Sequence, residues 1–89
     1  MYSLGAYFLE VLLDSGPGNS WTGDAQFSRR ADYIKHDDVP KVIFPTRLFR
    51  GTKTSAEQAV VEWARYFVAT SSEVIEAALR LREKRTERG

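Results

Sequence analysis

Cysteine is absent from the 89 residues, which excludes disulfide frameworks, thiolate nucleophiles and cysteine-based zinc sites. Histidine is nearly absent, with His36 alone. No run of uncharged apolar residues approaches the eighteen or so that a membrane span needs. The longest apolar stretch, Leu4 to Leu13, carries Glu10, follows no basic residue and precedes no small-residue cleavage signature, so no signal peptide is expected. These absences lead to the expectation of a cytoplasmic protein without membrane association. A dominant charge sign is also missing, since 13 Lys and Arg face 12 Asp and Glu for a net charge of +1.

What is present is the balance of an ordinary globular domain, 43% hydrophobic and 28% charged. A chain of this size buries roughly 60 to 65% of its unfolded surface, enough for one core but too little for a second domain or a deep cofactor pocket. One domain over residues 1–89 is expected, and most enzyme classes are disfavoured. The charges are banded: residues 1–28 are acidic, 29–53 basic, 54–79 acidic and 80–89 basic.

The C-terminal half carries the strongest helical signals. Thr54-x-x-Glu57 reads as a capping box, in which the threonine hydroxyl accepts first-turn amides and Glu57 reaches back to the cap amide. The stripe Ala56, Val60, Trp63, Ala64 and Phe67 then follows at helical spacing, predicting a helix from about Ser55 to Val68. A second box, Thr70-x-x-Glu73, predicts another helix at once, turning Val74, Ile75, Ala78, Leu79 and Leu81 toward a core or a partner, with Glu76 and Arg80 as an ion pair. Arg80, Arg82, Lys84, Arg85 and Arg88 suit the negative end of that helix.

The N-terminal half reads as a meander of strands. Residues 6–13 suit a strand better than a short helix, and Asp14-Ser-Gly-Pro-Gly-Asn-Ser20 is the strongest turn signal in the chain. Trp21 to Ser28 should return antiparallel, and Lys41 to Arg50 should form a third strand in which Pro45 points to a sheet edge or a bulge. The fold class that results is α+β. A small antiparallel sheet of about three strands from residues 1–50 would be covered by two helices in residues 54–88. The expected core sets Val60, Trp63, Phe67, Ile75 and Leu79 against Phe8, Val11, Phe27, Val42 and Phe44.

Catalytic chemistry finds no motif. His36-Asp37-Asp38 suggests metal ligation, yet successive strand residues point to opposite faces, so a polar loop is the plainer reading. Glu10, Asp14 and Asp24 could flank the first hairpin, but nothing in the pattern brings two carboxylates into one cleft. The turn at Gly16 to Ser20 lacks the Lys-Ser/Thr of a phosphate-binding loop, and no Gly-x-Ser-x-Gly elbow occurs. The expectation is therefore no enzyme, no cofactor and no metal.

Binding surfaces are better represented. Arg29, Arg30, Lys35, Lys41, Arg47, Arg50 and Lys53 lie among Tyr33, Phe44 and Phe49, a mixture of bases and aromatics that suits phosphate neutralisation and base stacking. A DNA- or RNA-binding protein is the alternative this raises, with contacts from Lys41, Lys53, Arg80, Arg82 and Arg85. Against it stand the near-zero net charge and the absence of any zinc-finger, RNP or helix-turn-helix pattern.

The leading expectation is a non-catalytic binding protein that occupies a surface of a larger protein or protein–nucleic-acid complex, in the manner of the small inhibitors or adaptors of phages and mobile elements. Tyr33, Arg47, Arg50, Arg29 and Arg30 are its candidate contacts, because exposed Tyr and Arg dominate protein interfaces. A homodimer through Val74, Ala78 and Leu81 is a further expectation.

Overall fold

The computed structural model describes residues 1–35 and 38–88, with the side chains of Lys35 and 85–88 outside the description. His36 and Asp37 of the acidic trio thus lie outside the described residues, and Asp38 is exposed. Strands β1 (Tyr2–Leu4), β2 (Tyr7–Ser15), β3 (Trp21–Arg29) and β4 (Val42–Pro45) form one antiparallel sheet in that order. A single turn, α1 (Asp32–Lys35), follows β3, and the long α2 (Lys53–Arg88) closes the chain. No helix is long and apolar enough to cross a membrane among the described residues.

The α+β class holds, but the sheet has four strands rather than three. The additional strand arises because Leu4 to Leu13 is not one element: Gly5, at φ +60°, lets the chain reverse so that Leu4 pairs with Tyr7. Glycine tolerates this left-handed conformation without the clash a Cβ would bring. The hairpin read from Asp14 to Ser20 forms as expected, with β2 and β3 in register from Tyr7–Arg29 to Ser15–Trp21. Pro45 ends β4, which pairs with β3 alone and lies at the sheet edge, where a missing amide costs no ladder bond.

One face of the sheet packs against α2. Tyr7 and Leu9 of β2, Ala25 and Phe27 of β3 and Val42 of β4 are buried with Val60, Val61, Ala64, Ile75 and Leu79. Gly23 allows the close approach of sheet and helix, since a Cβ there would stand 3.1 Å from Val60 Cγ2 and 3.3 Å from Val11 Cγ1. An aromatic cluster extends the core: Phe44 and Phe67 lie 5.2 Å apart between ring centroids, and Trp63 stacks on Phe67 at 4.8 Å. Trp63 itself is half-buried. Phe8 is not in this core, contrary to expectation. Strand alternation separates it from Leu9 and Val11 and turns it to the opposite face.

The helical half also differs in detail. Helix α2 starts at Lys53, and its cap is Thr52, whose Oγ1 accepts the Ser55 amide at 3.0 Å. The box therefore sits two residues ahead of Thr54, and Glu57 instead accepts the Tyr2 hydroxyl at 2.6 Å. The two expected helices run together without a loop, broken only at Ser71, where φ −142° and ψ 34° leave the helical region. Thr70 does not cap the second arm, because its hydroxyl donates back to the Tyr66 carbonyl at 2.8 Å. That back-bonding is a known cause of helix bending.

Candidate partner-binding surface

The face of the sheet opposite α2 is read from the strand register. Ser3, Phe8 and Ser28 form one cross-strand row, Glu10, Gln26 and Ile43 the next, and Leu12, Asp24 and Pro45 a third. Gln26 donates to Glu10 Oε2 at 3.0 Å across the middle row. Ile43 at 53% exposure is the largest apolar group left open in that row.

At the Phe8 end the chain leaves β3 and folds back through α1. Tyr33 stands edge-on to Phe8 at 5.1 Å, and its hydroxyl lies 3.2 Å from Ser28 Oγ. The Arg30 guanidinium covers the Phe8 ring at 5.6 Å while donating to the Gly5 carbonyl at 3.1 Å. An arginine over an aromatic face is attracted by the ring quadrupole, so Arg30 is held in one orientation while still exposed, over a half-buried Phe8. Ile34, beside them, is 90% exposed.

Arg29, the neighbouring candidate contact, turns the other way and is consumed. Its Nε donates to Glu76 Oε1 at 2.7 Å, and its NH1 donates to Asp32 Oδ2 at 3.1 Å and to Glu83 Oε1. Tyr7 donates to the second oxygen of Glu76 at 2.6 Å. This cluster ties β2, β3 and α1 to the second arm of α2. Glu76 thus pairs with Arg29 rather than with Arg80 as expected, although the Arg80 charge still acts on it. Burial opposes the charge of Arg29, but the hydrogen bonds to Glu83, Glu76 and Asp32 outweigh it and raise its pKa. Burial likewise works against the Glu76 carboxylate, yet hydrogen bonds from Tyr7 and Arg29 hold its pKa below the ordinary value.

The Tyr7 hydroxyl is pushed up to about 12, first by burial and then by its bond to the Glu76 carboxylate. Because its folded value lies above the unfolded 10.0, the stabilisation is complete below pH 10.0 and lost as pH rises toward about 12. Tyr7→Phe is therefore expected to be less stable than the parent at pH 8, with the gap closing across that alkaline window. Urea melts at stepped pH check this, and a constant gap would contradict it.

The remaining candidates do not join Arg30 and Tyr33. Arg50 pairs with Trp21 at the opposite end of β3, and Arg47 lies in the same connection at φ +55°. Nine residues of β3 separate the two ends by roughly 27 Å. Lys53 covers the Trp21 ring at 4.7 Å, also at that far end. Arg82 donates to the Lys41 carbonyl at 3.3 Å where α2 passes β4, and Arg80 is exposed on the same helix. The Arg85 side chain lies outside the described residues. Phe44, counted among the stacking aromatics, belongs to the core. Among the described residues no group of His, Asp and Glu could hold a metal ion.

Phe8 and Ile43 were missed as surface residues, although the alternation of Phe8 with Leu9 and of Ile43 with Val42 and Phe44 carries the signal. Comparison with protein-family models, curated proteins and solved structures finds no match.

Proposed function

We propose that this is a non-catalytic binding protein that acts by covering a surface of a larger protein or protein–nucleic-acid complex with the open face of its sheet. The observation that carries the reading is the preset assembly of Arg30 and Tyr33 on Phe8, beside exposed Ile34 and with exposed Ile43 on the same sheet face. Tyr, Arg and apolar anchors already held in place lose little side-chain freedom on binding, which is what interface hot spots require. The nucleic-acid reading has less support, because the same face presents Glu10 and Asp24, Arg29 is neutralised, and the other bases are spread over both ends of the sheet.

The test is capture from native lysate with nuclease present, followed by titration of the captured protein against variants. Arg30→Glu combined with Tyr33→Ala should weaken binding by roughly thirtyfold or more, the scale of about 2 kcal/mol for a hot spot. Leu81→Glu on the opposite layer should leave that affinity unchanged. Undiminished binding by the Arg30/Tyr33 variant, or capture that disappears with nuclease, would count against this surface.

A further inference from the structure

The second arm of α2 leaves one side uncovered. Ile75 and Leu79 are fully buried and Glu76 and Glu83 turn to Arg29, whereas Val74 is 44% and Leu81 63% exposed, with Ala77 exposed and Ala78 half-buried. Val74 and Leu81 are seven residues apart, two turns, so they lie on one line along the helix with Ala78 between them. Beside that line an open groove of about 430 Å³ runs between the helix and the edge strand, lined by Ile43, Phe44, Ala78 and Leu81 with Lys41 and Arg82 at its rim.

The charges bordering the stripe are arranged for self-recognition. Glu73 and Lys84 are both exposed and are separated by eleven residues, about three turns, which places them on the same flank of the stripe. A parallel copy of the helix would turn the Glu73–Lys84 flank of the two copies to opposite sides of the seam, where neither charge meets the other. An antiparallel copy centred on Ala78 brings Glu73 of each copy within one residue's rise, about 1.5 Å, of Lys84 of the other, and Val74 of each equally near to Leu81 of the other. The small side chains at 77 and 78 sit at the crossing, where they allow the helices to approach closely.

We propose that this stripe is the interface of a homodimer in which the second arms of α2 from two copies pack antiparallel across a twofold axis at Ala78. The occupant is a second copy because the surface is complementary to itself, as a twofold interface must be, in both its apolar and its charged positions. The groove beside β4 gives room for side chains of the other copy along the stripe. A contact line about 15 Å long lies at the small end of specific interfaces, so association in the micromolar range follows. The Phe8, Arg30 and Tyr33 end of the open sheet face lies two strands away from the β4 groove and stays free in such a dimer, which would present two copies of it.

Sedimentation equilibrium of the full chain from about 5 to 500 µM, bracketing the micromolar range, reads the self-association directly. A shift from the 10.1 kDa monomer toward twice that mass is expected. Leu81→Glu, at a solvent-exposed position, should raise the dimer Kd by at least about tenfold while leaving the circular dichroism spectrum unchanged. Glu73→Lys and Lys84→Glu should each weaken the dimer, because each places like charges together twice, and the double exchange should restore it. A monomer throughout the concentration range overturns the proposal, as does a dimer indifferent to Leu81→Glu. Failure of the double exchange to restore association overturns the antiparallel pairing, and a monomer that binds a different protein through Leu81 overturns the choice of occupant.

Discussion

Arg29→Met is expected to lower the unfolding free energy by about 3 kcal/mol, the lower part of the range for removing one partner of a buried ion pair. The lower part applies because the Arg29 side chain retains 17% of its exposure. What makes the substitution costly is the set of groups it leaves behind. Asp32, Glu76 and Glu83 converge on one guanidinium, so without it three carboxylates face one another at the seam between α2 and the sheet. For a domain of this size the loss corresponds to a fall in melting temperature of roughly 12 to 24 °C.

The pH dependence separates this explanation from simple loss of packing. In the parent protein the lowered pKa of Glu76 contributes stability that is complete above its unfolded value of 4.5 and is lost as pH falls through the folded value. In the variant the crowded carboxylates are stabilised by protonation, so acid relieves it. The gap between the two proteins should narrow toward pH 4, and thermal melts across pH 4 to 8 read it. Arg29→Lys should recover only part of the loss, since an ammonium lacks the planar fork that reaches three carboxylates from fixed directions. A loss under about 1 kcal/mol, or a gap independent of pH, would mean that the cluster is merely a solvated surface network.

This cluster also marks where reading the chain as a sequence reaches its limit. The turn at Gly16 to Ser20 is local, so the β2–β3 hairpin was legible from residue types alone, as were the helical period from Ala56 to Phe67 and the edge position implied by Pro45. Arg29 meets Glu76 and Glu83 across 47 and 54 residues; alternation along β3 separates it from Arg30, which lies exposed over Phe8, but no local pattern names the carboxylates it meets. Strand β1 was hidden because three residues followed by Gly-Ala carry little periodicity. The cap moved to Thr52 because the Arg50–Trp21 bridge and Lys53 over Trp21 fix where the chain leaves the sheet. In the candidate surface, residue type alone grouped Arg30 and Tyr33 with Arg47 and Arg50. The nine-residue length of β3 divides them between opposite ends of the sheet.

Phe27→Ala carries the largest expected cost, about 3 to 5 kcal/mol, as for any phenylalanine truncated inside a packed core. Phe27 is fully buried on the central strand β3, with Leu9 and Val42 as its cross-strand neighbours and the rings of Phe44 at 5.9 Å and Phe67 at 6.1 Å. From the middle of the sheet its ring meets Phe44 on the β4 edge and Phe67 on the first arm of α2, so neighbours on three sides would have to move to close the cavity. A chain of 89 residues has a total stability of about 4 to 13 kcal/mol, and the truncation therefore removes a large share of it. Phe27→Leu keeps most of the volume and should cost less than about 1.5 kcal/mol. The pair tests the scaffold behind the open face, because Gln26 and Ser28 reach that face only while Phe27 holds β3 in register against α2. Urea denaturation should show the alanine variant partly unfolded and weak in partner binding, with the leucine variant folded and binding normally. If the alanine variant melted within about 1 kcal/mol of the parent, the aromatic cluster would not be the centre of the core.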